Sequence, residues 1–200
     1  MGESQLGQDV AVLDFYNYKQ NGYFVEIGAS DGITLSNTFL LEKSYGWKGI
    51  CVEPIPEMYE KCKQNRSCIC SNLAVYNTSG QKVSFDIAEN SLLSGIQSHI
   101  DCYKDTVEKN KTTIQVNTIS LLDLLIQNNA PSRIDYLSLD TEGTEYEILK
   151  PFDFNQYTFG LIVVEHNFIE PRRTDIRNLL LSNGYSYIGE NRWDDMYASP

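Results

Sequence analysis

The sequence lacks long hydrophobic runs and an excess of basic residues. No stretch has the length and apolar character of a membrane-spanning helix or of a secretory signal. The 200 residues include 16 Lys and Arg against 27 Asp and Glu, which gives a formal net charge of −11. Nucleic acid binding requires a basic surface that neutralises phosphates. The composition therefore predicts no membrane span and disfavours a nucleic acid partner.

Zinc-binding cysteine patterns are also missing. The five cysteines include no C-x-x-C pair, and the closest two, Cys68 and Cys70, are wrongly spaced for a zinc site. Unpaired thiols are typical of a reducing compartment. We therefore expect reduced cysteines and a cytoplasmic protein.

The dinucleotide fingerprint G-x-G-x-x-G is absent, although a related pattern occurs. Residues 23–27 form a short aromatic and β-branched run that predicts a buried strand, and the small residues 28–32 predict a tight turn. Residues 33–45 are predicted to form the following helix. Strand, glycine turn and helix together are typical of nucleotide-like cofactor sites. The acids Glu26 and Asp31 would repel a pyrophosphate, which argues against an NAD-dependent oxidoreductase, and would suit a sulfonium and an amino group.

A second acid, Glu53, ends the next apolar run, where it is placed to accept hydrogen bonds from ribose hydroxyls. The motifs E-I-G-x-x-D-G at 26–32 and G-W-x-G-I-x-V-E-P at 46–54 resemble the FkbM-type branch of the class I S-adenosylmethionine (SAM) methyltransferases. The D-x-E-G-x-E motif at 140–145 is the most specific match to that family. The resemblance extends over nearly the whole chain.

The resemblance implies an α/β, Rossmann-like fold. We expect a three-layer α/β/α sandwich with a mostly parallel seven-stranded sheet, closed by an antiparallel hairpin of residues 185–189 and 195–198. A strand at 67–74 and further strands at 83–87 and 112–117 are predicted, with a long loop at 88–110 between the last two. Residues 1–200 would form a single methyltransferase domain that begins with a helical segment at 1–20. Such domains often lie beside glycosyltransferases in longer chains.

The family likeness also implies the residues that hold SAM. Gln5 and Gln8 would close over its methionine end, and Ser36 and Asn37 would hold its carboxylate at a helix N-terminus. The predicted cofactor-binding residues are Gln5, Gln8, Glu26, Gly28, Ala29, Ser30, Asp31, Ser36, Asn37, Glu53, Pro54, Ala74 and Asp140.

Two polar clusters, 140–142 and 165–167, follow successive predicted strands, so we expect them to face each other across an acceptor site. A hydroxyl acceptor needs a general base or a metal ion. His166 is the predicted base, its basicity raised by neighbouring carboxylates, with Asp140 and Glu142 as further catalytic residues.

A divalent cation is the alternative to a side-chain base. Asp140, Glu165 and Asn167 offer the oxygen ligands that Mg²⁺ or Mn²⁺ prefers. Glu142 and Glu145 are also candidates for a plain structural role, in which they accept hydrogen bonds from backbone donors at the entry of a helix.

The leading hypothesis is an O-methyltransferase that acts on a hydroxyl of a sugar or glycan. A non-sugar natural-product hydroxyl is the alternative acceptor, and a non-catalytic SAM-binding or partner-binding module is the second alternative. Tyr103, Trp193 and Tyr197 are candidates for stacking on a sugar face. RNA ribose methylation is disfavoured, because it commonly uses a Lys-Asp-Lys-Glu tetrad and the strand-end clusters contain no lysine.

Overall fold

The computed structural model describes residues 4–100 and 104–199. Its α-helices are α1 (Gln8–Phe15), α2 (Phe39–Tyr45), α3 (Pro56–Asn65), α4 (Lys104–Val107), α5 (Leu121–Gln127), α6 (Glu145–Leu149) and α7 (Arg172–Ser182). Its strands are β1 (Tyr23–Ile27), β2 (Lys48–Val52), β3 (Ile69–Ser71), β4 (Ala74–Tyr76), β5 (Lys82–Ala88), β6 (Gly95–Ile96), β7 (Lys111–Ser120), β8 (Arg133–Leu139), β9 (Thr158–Glu165), β10 (Ser186–Asn191) and β11 (Asp194–Ala198). A 3₁₀-helix covers Ser91–Leu93.

The main sheet has seven strands in the order β10-β11-β9-β8-β1-β2-β3. The five strands from β9 to β3 run parallel, and β11 pairs antiparallel with both β9 and β10. The central strands are buried along almost their whole length, which explains their continuous apolar character in the sequence. The predicted parallel sheet with a closing hairpin is confirmed.

Helices cover both faces of this sheet. On one face α5, α6 and α7 contribute Leu124, Leu149 and Leu180 to a core with the strand residues. On the other face, α1 and α2 pack Leu13 and Leu41 against the sheet. This arrangement is the predicted three-layer sandwich. Within the described ranges, no helix combines the length and the apolar character needed to cross a bilayer.

A second sheet of four strands, in the order β4-β7-β5-β6, was not predicted. The predicted strand at 67–74 is wrong, because β3 ends in the main sheet and β4 begins in the second one. The Ser71 hydroxyl accepts the N–H of Leu73 at 3.4 Å, a local bond that competes with strand pairing. The predicted strands at 83–87 and 112–117 lie in β5 and β7, which pair antiparallel.

The predicted helix at 33–45 is too long, because α2 begins only at Phe39. Leu35 has a positive φ of 59°, which is incompatible with a right-handed helix. The predicted loop at 88–110 contains the 3₁₀-helix, β6 and α4, so it is more ordered than a plain loop.

Candidate active site

An open cleft lies at the carboxyl ends of the parallel strands, with an empty space of about 1300 Å³ that includes solvent at its mouth. Most of the predicted site residues line it: Gln5, Gln8, Glu26, Gly28, Ala29, Ser30, Ser36, Asn37, Glu53, Pro54, Ala74, Asp140, Glu142, Glu165 and Trp193. The residues predicted for the site that do not line the cleft are Asp31, His166, Asn167 and Tyr197. Tyr103 lies outside the described residues.

The glycine turn after β1 brings main chain to the edge of the cleft. Gly28 has a φ of +93°, and a Cβ atom at this position would lie 2.0 Å from the carbonyl oxygen of Asp140. The amide of Asp140 in turn donates to the carbonyl of Ile27 at 3.1 Å. Only glycine permits this approach, so the turn after β1 and the end of β8 form one continuous wall.

Glu53 ends β2 and is almost completely buried. Its Oε2 accepts the N–H of Ser30 at 2.8 Å, and its Oε1 accepts the N–H of Ile55 at 2.8 Å. Burial raises the pKa of Glu53 to about 7, although both hydrogen bonds act in the opposite direction. The carboxylate therefore bridges two loops and still faces the cleft as an acceptor for ligand hydroxyls.

Glu26, inside β1, is held by donors from the segment at 36–38. The Ser36 hydroxyl donates to both carboxylate oxygens at 3.0 Å, and the N–H of Asn37 donates to Oε1 at 2.6 Å. The Thr38 hydroxyl donates to Oε2 at 2.5 Å, and Arg66 Nη1 lies 3.3 Å from the same oxygen. The predicted helix N-terminus at Ser36 and Asn37 is wrong, because α2 begins only at Phe39. The hydroxyl of Ser36 and the amide of Asn37 donate to Glu26 instead.

The side chain of Asn37 nevertheless remains available to a ligand. Its Nδ2 donates to Ser138 Oγ at 2.8 Å, while its Oδ1 is buried and accepts no hydrogen bond from any described residue. An acceptor of this kind in the wall of a cleft is expected to find a donor on the ligand.

Asp31 does not line the cleft, because it organises its own loop. It accepts the N–H groups of Ile33 at 2.9 Å and of Thr34 at 2.7 Å. Burial acts to raise the pKa of Asp31, but these hydrogen bonds outweigh it and lower the pKa below its ordinary value. The predicted contact of Asp31 with the cofactor is therefore replaced by a structural role.

The amino-terminal segment reaches the cleft from the other side. Gln8 Nε2 donates to Asp194 Oδ2 at 2.8 Å, and its Oε1 accepts the N–H of Leu6 at 2.8 Å. Gln5 and Gln8 both line the cleft. Both glutamines therefore lie at the cleft, and their contact with the methionine end of SAM stays a prediction.

Three carboxylates converge beside the cleft. Two of them follow β8, and the third is the last residue of β9. Oxygen atoms of Asp140, Glu142 and Glu165 all lie within 4.8 Å of one another. Asp140 directly follows Leu139, which pairs with Val164 of β9, so the register places Asp140 beside Glu165. Within the described residues, neither Asp140 nor Glu165 forms an ion pair, and Glu165 Oε2 has no hydrogen-bond donor.

The crowding and desolvation of these carboxylates shift their pKa values. Desolvation, followed by the charges of Asp194 and Glu145, raises the pKa of Asp140 to about 7. Desolvation and the charge of Asp140 raise the pKa of Glu165 well above its ordinary value. Both carboxyl groups therefore have pKa values above their ordinary range, and desolvation is the largest cause for each.

The loop after β8 presents Glu142 to this pair. Glu142 has a φ of +57°, a costly conformation for a residue with a side chain. Glu145 stabilises the loop, because its Oε1 accepts the N–H groups of Thr141 and Gly143, both at 3.0 Å. The alternative structural role predicted for Glu145 is confirmed by these contacts.

The prediction that His166 faces the Asp140 cluster is wrong. His166 is 1% exposed and does not line the cleft, and its Nδ1 accepts the N–H of Phe168 at 3.0 Å. Its Nε2 lies 3.5 Å from Asp195, a carboxylate that also pairs with Arg173. Successive residues of an extended chain point to opposite sides, so Glu165 faces the cleft and His166 faces away.

The predicted increase in the basicity of His166 is also wrong. Burial lowers the pKa of His166, and this effect exceeds the opposing charge of Asp195. Two further predictions fail at the same end of the sheet. Asn167 does not line the cleft, and Tyr197 is fully buried with its hydroxyl 3.1 Å from Asp195, so it has no free face for a sugar.

Sequence reasoning missed part of the wall of the cleft. The missed residues are Thr34, Leu35, Phe85, Leu92, Leu93, Ile96 and Thr144. Most belong to the unpredicted second sheet, to the 3₁₀-helix or to the loop after β8. The available signal for this region is the run Ser91-Leu-Leu-Ser-Gly95 in the long predicted loop, which resembles a serine-glycine element of the FkbM-type family.

Comparison with known proteins identifies the family. Residues 26–187 match the model of the methyltransferase FkbM domain. The chain belongs to the FkbM methyltransferase family. It is accordingly a SAM-dependent methyltransferase. The match contains the glycine turn, Glu53 and the three clustered carboxylates.

Solved structures support the fold of this FkbM methyltransferase. The METTL16 MTase domain is 13% identical, with a TM-score of 0.52, over 98% of this chain and 67% of that one. The human methyltransferase 10 domain containing protein is 12% identical, with a TM-score of 0.50, over 97% of this chain and 80% of that one. At such identities the likeness shows the class I methyltransferase fold alone. Comparison with curated protein sequences gave no significant match.

The lining of the cleft fits SAM in its chemistry. The carboxylate of Glu53 suits a ribose diol, and the unpaired Oδ1 of Asn37 suits an ammonium group. Ala74, Val75 and Phe85 offer an apolar wall for a flat base. The glycine turn contributes Gly28, Ala29 and Ser30 to the same lining.

Proposed function

We propose that this methyltransferase transfers the methyl group of SAM to a hydroxyl oxygen of a sugar or glycan. The single observation that carries the proposal is the group of Asp140, Glu142 and Glu165 at the cleft, in which Asp140 and Glu165 have no cationic partner among the described residues. Such a group lowers stability, and it supplies the basic function that a hydroxyl acceptor requires.

The bound cofactor supplies an electrophilic methyl group on a sulfonium, which is a good leaving group. A thiol or amine acceptor needs little more than alignment, whereas a sugar hydroxyl must lose its proton during the transfer. The pKa of Asp140 is raised to about 7 and that of Glu165 lies well above its ordinary value, so the deprotonated form of this group accepts the hydroxyl proton near neutral pH. Glu142 completes the group on the cleft side.

The lining of the cleft supports a polyhydroxylated ligand. Hydroxyl and amide side chains are part of it, namely Asn90, Ser91, Ser94, Thr141 and Thr144. Trp193, one of the aromatic residues proposed for stacking, also lines the cleft. A hydroxyl on a non-sugar natural product is the alternative acceptor, and a mainly apolar ligand would leave many of these polar groups unpaired.

A divalent cation is the second way in which the same carboxylates would serve a hydroxyl. The set of Asp140, Glu142 and Glu165 has the hard oxygen ligands that Mg²⁺ or Mn²⁺ prefers, and the unpaired Oε2 of Glu165 fits this interpretation. Glu142 takes the place of Asn167 in the predicted ligand set. EDTA should abolish turnover, and Mn²⁺ should restore it, only if these residues act as ligands rather than as a base.

The acceptor is tested by incubating the protein and labelled SAM with oligosaccharides and, in parallel, with phenolic and alkyl alcohols. We expect label on a sugar oxygen, located by mass spectrometry of the product. Transfer to the non-sugar alcohols alone would contradict the sugar assignment. Transfer to a thiol or amine alone would contradict O-methylation itself.

The carboxylate group is tested with Glu165→Gln. This variant should lower kcat by roughly 10²–10⁴-fold and leave the SAM Kd nearly unchanged, because Glu165 acts at the acceptor end. Glu60→Gln, at an exposed position of α3, is the matched control. Full activity of Glu165→Gln, with and without EDTA, would overturn both the base and the metal interpretations.

Cofactor binding is tested with Glu53→Ala. Loss of a carboxylate that accepts ribose hydroxyls should weaken SAM binding by about 1–3 kcal/mol in calorimetry. Glu57→Ala is the control, because Glu57 is exposed and lies four residues further along the chain. A SAM affinity equal to that of the control, in a folded variant, would show that Glu53 does not hold the cofactor.

A further inference from the structure

Four of the five cysteines lie together outside the catalytic cleft. Cys51 of β2 pairs in register with Cys70 of β3, and Cys68 lies two residues before Cys70, so the three side chains share one face of the sheet. Cys62 of α3 packs onto the same face. The Sγ atoms of Cys62 and Cys70 are 3.8 Å apart. Those of Cys51 and Cys68 are 3.5 Å apart.

These thiols are not arranged as a metal site. No three sulfur atoms of the described cysteines lie within 4.8 Å of one another, whereas such groups exist among the carboxylates. All four are free thiols in the structure. The close contacts occur in pairs, and pairs of thiols are the substrate of oxidation to a disulfide.

Each pair joins a buried cysteine, Cys51 or Cys62, to a half-buried one, Cys68 or Cys70, and the two pairs differ in charge. Cys51 is fully buried, and its thiol contacts Glu26 Oε2 at 3.6 Å, so a thiolate there would meet a carboxylate. Cys70 is half-buried on β3, the edge strand of the main sheet, where a small oxidant can reach it. The neighbouring Cys62 thiol, whose sulfur lies 3.8 Å from that of Cys70, lowers the pKa of Cys70, which favours its thiolate.

We propose that Cys70 and Cys62 form a peroxide-sensitive dithiol, in which Cys70 is the attacking thiolate and Cys62 the resolving thiol. The Cys70 thiolate attacks one oxygen of hydrogen peroxide, the O–O bond breaks, and Cys70 sulfenic acid and hydroxide form. The Cys62 thiol then attacks the Cys70 sulfur, the S–O bond breaks, and the disulfide and water form. The two sulfurs together lose two electrons, and the peroxide gains them.

The test uses the reduced, full-length protein treated with hydrogen peroxide and digested with trypsin without reductant. Cleavage after Lys61, Lys63 and Arg66 separates a Cys62–Lys63 dipeptide from the peptide of residues 67–82. We expect these two peptides to be joined, with fragmentation assigning the link to Cys70. A link between Cys51 and Cys68, or no disulfide at all, would overturn the proposal.

Variants and a labelling measurement sharpen the test. Cys70→Ser should abolish the link, while Cys68→Ser and the control Cys102→Ser should retain it. If Cys70→Ser does not fold, iodoacetamide labelling of the wild-type protein decides, because Cys70 should react first among the four. Peroxide should block that labelling, and dithiothreitol should restore it. Faster labelling of Cys68 than of Cys70 would contradict the assignment of the attacking thiolate.

Discussion

Acidic residues from three neighbouring parallel strands line the same cleft, but the surroundings of Glu26 differ from those of Asp140 and Glu165. Glu26 of β1 accepts hydrogen bonds from the segment at 36–38 and lies 3.3 Å from the buried guanidinium of Arg66. Asp140 and Glu165, at the ends of β8 and β9, have each other as close charged neighbours and make no ion pair within the described residues. The buried carboxylate of Glu26 is thus compensated by a cation, whereas those of Asp140 and Glu165 are not.

The difference separates structure from chemistry. A compensated carboxylate such as Glu26 orders the segment around it, and its oxygens are already occupied by donors from the protein. Uncompensated carboxylates have raised pKa values, so they exchange protons near neutrality at a cost in stability. The positions of the cations therefore indicate which acids shape the site and which acids act in it.

The largest expected effect comes from removing the compensation. Arg66→Met should lower the free energy of unfolding by about 3–5 kcal/mol, because it leaves the buried carboxylate of Glu26 without its cation. Urea unfolding monitored by circular dichroism measures the change. Lys61→Met removes the exposed pair with Glu57 and should cost less than about 1 kcal/mol. Equal losses in the two variants would contradict the comparison.

An intermediate effect should come from neutralising the uncompensated group. The pKa of Asp140, about 7 in the folded protein, lies above its unfolded value, so its contribution to stability is complete below roughly pH 4 and is lost as the pH rises through 7. Asp140→Asn should therefore be more stable than wild type at pH 8, by at least about 1 kcal/mol, and not at pH 4.

Thermal or urea unfolding at both pH values measures this difference, with the exposed Asp105→Asn as the control. The variant should also lose most of its methyl transfer. A stability profile parallel to that of wild type between pH 4 and pH 8 would show that Asp140 is compensated after all.

The smallest expected effect concerns His166, which belongs to the compensated network of Asp195, Arg173 and Arg177. His166→Asn should change kcat by no more than about twofold, since the side chain does not reach the cleft. Its kcat against pH should follow the wild-type profile. A loss of more than about 10²-fold in a folded variant would restore His166 as the base.

The sequence by itself determined the elements whose signals are local. The glycine turn after β1 and the acid at the end of β2 were recognisable because close main-chain approach and strand ends require particular residues at particular positions. The continuous apolar strands indicated a parallel sheet buried on both faces, and the family motifs completed the fold. Glu53, Asp140 and Glu142 line the cleft as predicted.

Only the tertiary structure decided which neighbours these residues have. Arg66 is forty residues from Glu26 in the chain, so the ion pair that separates a structural acid from a reactive one has no local signature. The orientation of His166 also has no local signature. Alternation along a strand predicts that His166 and Glu165 point to opposite sides, but only the pairing of β9 with β8 determines which of them faces the cleft. Side-chain direction and charge compensation depend on contacts between distant segments, and these exist only in the folded chain.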